Sequence, residues 1–78
     1  MWVKVRDRFV NLDHIWKIVV SGGRYMAFYP ANPAFKPLVV EVDGNAGSCD
    51  ISVTKEELDQ AVLELLSIGV VDLLGGEG

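Results

Sequence analysis

The sequence predicts an α+β domain, a curved antiparallel sheet of about five strands followed by one C-terminal helix packed on one face. Runs rich in β-branched and aromatic residues, separated by turn residues, occupy positions 1–53. A helix-start signal and a helical spacing of apolar residues occupy positions 54–69. No strand-helix-strand alternation is present, which argues against a parallel sheet. The chain of 78 residues is long enough for a single domain, 1–78.

Two hairpins account for most of the predicted sheet. Residues 2–12 alternate between apolar and polar side chains around a short charged turn, which predicts the first hairpin. Residues 15–20 begin the second, with Trp16, Ile18 and Val20 expected on one face because side chains alternate along a strand. The later elements are expected in this order: a Ser-Gly-Gly turn over 21–23, a strand over 24–29, a proline-rich connection over 30–37, a strand over 38–42, a polar loop over 43–50 and a short strand over 51–53.

The helix is predicted from residue 55 to about residue 68. Thr54 and Glu57 have the spacing of a capping box, in which each side chain satisfies a backbone N–H of the other residue. Gly69 is suited to end the helix in a left-handed conformation. Leu63 falls near the polar side of the helix, away from the face expected on the sheet. Residues 70–78 are expected to form an apolar segment and a frayed tail.

Charge and aromatic residues are distributed unevenly along the chain. Residues 1–37 hold six basic and two acidic residues, a net charge of +4, together with all seven aromatic residues. Residues 38–78 hold one basic and nine acidic residues, a net charge of −8. Such asymmetry bears on partners and self-association and leaves the fold undetermined.

The composition predicts a cytoplasmic homo-oligomer, most simply a dimer. A domain this small has a limited core and often needs a disulfide, a metal or a partner subunit. Cys49 and His14 are each the single residue of their type, so neither a disulfide nor an ordinary zinc site can form within one chain. We recognise no signal peptide and no membrane-spanning segment, and a lone cysteine suits a reducing compartment.

Catalytic and cofactor motifs are not recognisable, so we expect a non-enzymatic protein with no cofactor and no metal. Phosphate-loop and nucleophile-elbow patterns do not occur in the sequence. The polar loop over 43–50 begins like a calcium loop, but the twelfth position counted from Asp43 is Thr54 and not the glutamate that such a loop requires. His14 and Cys49 have no suitably spaced partners for acid-base or nucleophilic chemistry.

The favoured hypothesis is a protein-interaction or regulatory module that associates with itself. Apolar residues that one helix leaves uncovered exceed what a small monomer normally exposes. The positive and negative halves of the chain could also meet across a two-fold axis. The predicted self-association residues are Leu63, Val70, Val71, Leu73 and Leu74.

The alternative hypothesis is binding of single-stranded nucleic acid. Exposed aromatic residues beside lysine and arginine can stack bases and neutralise phosphates. The net negative charge of the whole chain opposes this function, and basic strand residues also occur simply to keep a sheet soluble. The predicted nucleic-acid face comprises Trp2, Lys4, Arg6, Lys17 and Arg24.

The hairpin-and-corner pattern near the N-terminus supplies a family resemblance. Residues 10–13 read V-N-L-D and are followed by Ile15 and Ile18, after a hairpin that begins at Trp2. This pattern resembles several short bacterial proteins and the layout of the small flagellar FlbD-type proteins. The order of strands followed by one helix also resembles Pur-type and whirly-type single-strand binders, by layout alone. The first resemblance implies a fold and no activity.

Overall fold

The strands of the computed structural model form two sheets, and one helix follows all but the last strand. The structure describes residues 1–70 and the strand at 74–75. A 3-10 turn, Leu12–His14, links the two sheets. The mixed α+β class predicted from the sequence is confirmed. The elements are β1 (Trp2–Val5), β2 (Arg8–Asn11), β3 (Ile15–Ser21), β4 (Tyr25–Pro30), β5 (Leu38–Val42), β6 (Ile51–Val53), α1 (Lys55–Ser67) and β7 (Leu74–Gly75).

The larger sheet has five strands in the order β6-β5-β4-β3-β7, and β1 and β2 form a separate antiparallel pair. Its central strands, β3, β4 and β5, are antiparallel, as predicted. Its edge strands differ from that expectation, because β6 is parallel to β5 and β7 is parallel to β3. Parallel neighbours require a returning connection. The loop over 43–50 supplies this return for β6, and α1 carries the chain to the opposite edge for β7.

One face of the larger sheet is buried by two covers, the β1–β2 hairpin and α1. The hairpin contributes Val3, Val5 and Val10 to the same hydrophobic cluster that contains residues of the helix and of the sheet. The hairpin is therefore a second layer beside the helix. The other buried members of this cluster are Leu12, Ile18, Met26, Phe28, Val40, Val42, Ile51, Val53, Leu58, Ala61 and Leu65.

A β-bulge interrupts the alternation of β3. The pairing of β3 with β4 shifts between Ile15 and Lys17, so Trp16 is the extra residue. Ile15 and Ile18 both pack in the core cluster, whereas Trp16 is 58% exposed. The prediction that Trp16 shares a face with Ile18 and Val20 is therefore wrong, because the bulge shifts the side-chain alternation by one residue.

The ends of α1 agree with the sequence analysis. The Glu57 N–H donates to Thr54 Oγ1 at 3.1 Å, and the Thr54 N–H donates to Glu57 Oε1 at 2.8 Å, which confirms the capping box. The helix ends at Ser67, and Gly69 follows with φ of 79°. Among the described residues, no helix has the length and apolarity that crossing a membrane requires.

The turn of the β1–β2 hairpin contains a strained residue, Arg6. Its φ is 58°, a left-handed conformation that costs a residue with a Cβ roughly 1 kcal/mol or more. Arg6 Nη1 donates a hydrogen bond to the backbone carbonyl of Ser52 in β6. This bond tethers the hairpin turn to the edge of the larger sheet.

Two substitutions at Arg6 isolate the backbone strain, because both remove the tether. Arg6→Ala loses the hydrogen bond and keeps the strain, whereas Arg6→Gly loses the bond but relieves the strain. We expect Arg6→Ala to be less stable than Arg6→Gly by about 1 kcal/mol in urea unfolding. Arg8→Ala, at an exposed position next to the turn, is the control and should change stability little. Equal stabilities of the two Arg6 variants would contradict this description of the turn.

Candidate functional site

The face of the larger sheet opposite the helix and hairpin carries a coherent group of side chains, which we call the outer face. Phe28 and Met26 on β4 point into the core, so the intervening residues of β4 point the other way. Strand pairing then assigns the outer-face residues of β3 and β5. The outer face consists of Trp16, Lys17, Val19, Ser21, Tyr25, Ala27, Tyr29, Val39 and Glu41.

The register of the strands arranges these side chains in rows across the sheet. Ala27 lies at the centre, with Val19 on one side and Val39 on the other. Tyr25 and Tyr29 lie two residues before and after Ala27 on the same strand. The rows across the sheet are Ser21–Tyr25–Glu41, Val19–Ala27–Val39 and Lys17–Tyr29.

The centre of the outer face is apolar and its flanks are aromatic. Ala27 is completely buried, although it belongs to the face opposite the core, and Val19 is only 8% exposed. Tyr25 and Tyr29 are half-buried, and Trp16 is exposed. Because Ala27 has no exposed surface, the side chains around it enclose the middle of the face. Surfaces that combine tyrosine, tryptophan and aliphatic side chains are typical of protein contact sites.

Two opposite charges occupy opposite corners of the outer face. Lys17 follows the bulge on β3, and its Nζ lies 5.8 Å from the centroid of the Trp16 ring. This contact confirms that the two side chains share a face, and it contributes a cation–π attraction. Glu41 lies on β5, and its Oε1 accepts a hydrogen bond of 2.9 Å from Ser48 Oγ.

Both burial and neighbouring groups shift the pKa of Tyr25. Desolvation raises the pKa of its phenol above the ordinary value of 10.0, and the proximity of Tyr29 and of the Glu41 carboxylate raises it further. Tyr25 is therefore held in its neutral, hydrogen-bonding form over a wider pH range than a free tyrosine. Among the residues that define the outer face, the charged side chains are Lys17 and Glu41.

The loop over 43–50 supports Glu41 from one side. A Cβ added to Gly44 would lie 2.6 Å from Cys49 Sγ and 2.9 Å from Glu41 Cβ, so the loop backbone approaches this strand closely. Cys49 is half-buried and donates to the Asn45 carbonyl at 3.5 Å. This segment is the one that the sequence predicts to be a polar loop. Gly44, directly after Asp43, was the residue in the sequence that could have indicated this close approach. Asp43 has a φ of 53°.

The structure does not bring the five residues of the predicted nucleic-acid face onto one surface. Lys4 and Arg6 line a surface cleft beside α1, and the cleft also contains three glutamates, which offset their charge. Lys17 belongs to the outer face, and Arg24 pairs with Asp43 at 3.5 Å. The cleft is lined by Lys4, Arg6, Glu56, Glu57, Gln60 and Glu64.

Trp2 is exposed on the side of the β1–β2 hairpin that faces away from the core. Phe9, also exposed, lies on that side, paired with Lys4 and diagonal to Trp2. Lys4 Nζ lies 5.8 Å from the Phe9 ring centroid. The aromatic and basic character predicted for β1 is therefore present, but on a sheet separate from Lys17.

The predicted self-association residues that the structure describes lie at three different places in the fold. Leu63 is 60% exposed, and Leu66, one helical turn away, is 47% exposed, so the two form an apolar stripe on α1. Val70 is half-buried and packs against the core. Leu74 pairs with Ile18 through the β7–β3 backbone. Val71 and Leu73 lie outside the described residues.

The remaining chemical groups weighed from the sequence are dispersed. His14 lines a shallow cleft with Asp13, Pro30, Asn32 and Phe35, near the 3-10 turn. Within residues 1–70, no three histidine, cysteine or acidic side chains come together as a group that could hold a metal ion.

Comparison with known proteins found no matching family model, no similar curated protein and no similar solved structure. The resemblance to FlbD-type proteins stays a prediction.

The proximity of Glu41 to Tyr25 gives a testable titration. In a Tyr29→Phe background, the phenolate absorbance reports Tyr25 alone, and its midpoint should lie above the ordinary tyrosine value. Adding Glu41→Gln should lower that midpoint, because the carboxylate disfavours the phenolate.

The same shift has a consequence for stability. Because the pKa of Tyr25 is higher in the folded state than in the unfolded state, protonation of its phenol favours folding. This contribution to the free energy of unfolding is complete below about pH 10 and is lost as the pH rises through the folded-state pKa. Tyr25→Phe should flatten this alkaline loss in urea unfolding. If Glu41→Gln left the titration midpoint of Tyr25 unchanged, the result would contradict the proximity of the Glu41 carboxylate to the Tyr25 phenol.

Proposed function

We propose that the chain is a small non-enzymatic protein-interaction module that works as a homo-oligomer, most simply a dimer. The proposal includes a cytoplasmic setting, which the lone Cys49 suits. One observation carries it: among residues 1–70, seven large apolar side chains are between 47% and 66% exposed. These residues are Met1, Trp2, Phe9, Trp16, Phe35, Leu63 and Leu66.

Two surfaces are candidates for self-association. The first is the helix stripe of Leu63 and Leu66, which includes a residue predicted from the sequence. The second is the outer face, whose tyrosines and Trp16 offer a larger contact area at a low cost in side-chain entropy. The helix stripe is purely apolar, whereas the outer face also carries charges that can fix the orientation of a partner.

Single-stranded nucleic-acid binding is the second candidate function. The observation that favours it is the presence of Trp16, Tyr25 and Tyr29 on one sheet face beside Lys17, since sheet aromatics can stack bases. The charges oppose it. Glu41 offsets Lys17 on that face, and the whole chain has a net charge of −4.

The test of the proposed function is the molar mass of the chain in solution as a function of concentration. Sedimentation equilibrium from low micromolar to submillimolar concentration should show the mass rising from 8.5 kDa toward twice that value. Association should be reversible on dilution. A mass that stays at 8.5 kDa throughout would contradict the proposal.

A fluorescence titration separates the two candidate functions. A mixed-sequence single-stranded oligonucleotide is added at low salt, where electrostatic binding is strongest, while tryptophan emission is followed. The interaction module predicts no saturable change. Saturable quenching that weakens with salt, and that is lost in Trp16→Ala but kept in Trp2→Ala, would instead establish base stacking on the outer face.

A further inference from the structure

We propose that the outer face is a two-fold interface between two copies of this chain, with Lys17 of each copy paired to Glu41 of the other. This inference rests on the proposed homo-oligomer and assigns its contact surface. The strand register fixes where the two charges lie relative to the centre of the face.

Lys17 and Glu41 are related symmetrically about Ala27. Lys17 pairs with Tyr29, and Glu41 pairs with Tyr25, so the two charges are two strands apart and four residues apart along the strands. With ordinary strand spacing and rise, they are about 17 Å apart. Ala27 lies midway between them, because it is midway between Tyr25 and Tyr29 on the central strand.

Only certain two-fold axes satisfy the charges. An axis in the plane of the interface, through Ala27 and perpendicular to the line from Lys17 to Glu41, exchanges the two corners. Each Lys17 then lies over the Glu41 of the other copy, which gives two identical ion pairs in a closed dimer. An axis along that line would instead place Lys17 over Lys17 of the other copy, and Glu41 over Glu41, which like-charge repulsion disfavours.

The same axis also matches the apolar residues. It places Tyr25 of one copy beside Val19 of the other, and Tyr29 beside Val39. The strands of the two copies would cross at about 70°, which approaches the orthogonal class of sheet packing.

The size of the face sets the expected strength. Three strands of ordinary spacing and length present roughly 300 Å² in projection, with the Trp16 side chain and the loop over 43–50 adding a rim. A standard interface buries about 800 Å² on each partner. The dimer should therefore be weak, with a dissociation constant in the micromolar range, and its ion pairs should make it weaken as salt is added.

A charge exchange is the decisive experiment. We expect Lys17→Glu and Glu41→Lys each to raise the dissociation constant at least tenfold in sedimentation, because each places two like-charged pairs in the dimer. The double variant Lys17→Glu/Glu41→Lys should restore it to within about threefold of the original value, because the pairs are then re-formed with reversed sign. Lys36→Glu, the same change at an exposed position outside the outer face, is the control and should dimerise normally.

The helix stripe supplies the competing outcome. Leu63→Glu should leave the dimer intact if the outer face is the interface. Should Leu63→Glu dissociate the dimer while Lys17→Glu does not, the inference is overturned and the proposed function stands. An original chain that stays monomeric at every concentration overturns both.

A second measurement covers the case in which Glu41→Lys fails to fold, since Glu41 also bonds Ser48. Amide NMR spectra of the unaltered chain are compared at high and low concentration. We expect the shifts to concentrate at Lys17, Tyr25, Tyr29 and Glu41. Shifts confined to Leu63 and Leu66, or to the β1–β2 hairpin, would overturn the inference.

Discussion

A single extra residue in β3 determines which side chains lie on each side of the larger sheet. Trp16 has no partner of its own in the register with β4, so the alternation before it and the alternation after it are out of phase. Ile15 and Ile18 can therefore both contribute to the core, although they are three residues apart. Trp16 and Lys17 consequently share the outer face with Tyr29, and the site depends on this placement.

The hydrophobic core depends on two covers for one sheet face. One helix, about 10 Å in diameter, is too narrow to cover five strands that are about 4.8 Å apart. The β1–β2 hairpin lies beside the helix, with Val3 and Val5 fully buried. Polar contacts join the hairpin to the helix and to the larger sheet. The Lys4 N–H donates to Glu64 Oε1 at 3.3 Å, and Arg6 reaches across to Ser52. The basic first half of the chain thus meets part of its acidic second half within one molecule.

Local signals in the sequence predicted local structure well. The Thr54–Glu57 capping box, the helix that follows and the exposure of Leu63 depend on residues within a few positions of each other. Predictions that required long-range geometry were less complete. Alternation alone could not reveal the bulge at Trp16, and the sequence gives no indication that α1 places glutamates beside Lys4 and Arg6. The antiparallel prediction depended on the absence of strand-helix-strand alternation, and no strand was predicted after the helix, so the parallel edge at β7 was missed. The parallel edge at β6 was missed because a loop as short as 43–50 seldom joins parallel neighbours.

The orientation of Trp16 is the most direct test of this account. A nuclear Overhauser spectrum of the dilute, monomeric chain would show which protons lie near its indole ring. The account predicts cross-peaks from the Trp16 indole to the side-chain methylenes of Lys17, and none to the methyl groups of Ala61 or Leu65. Cross-peaks between Trp16 and those two helix residues would contradict it, because they would place Trp16 in the core and remove the bulge on which the outer face depends.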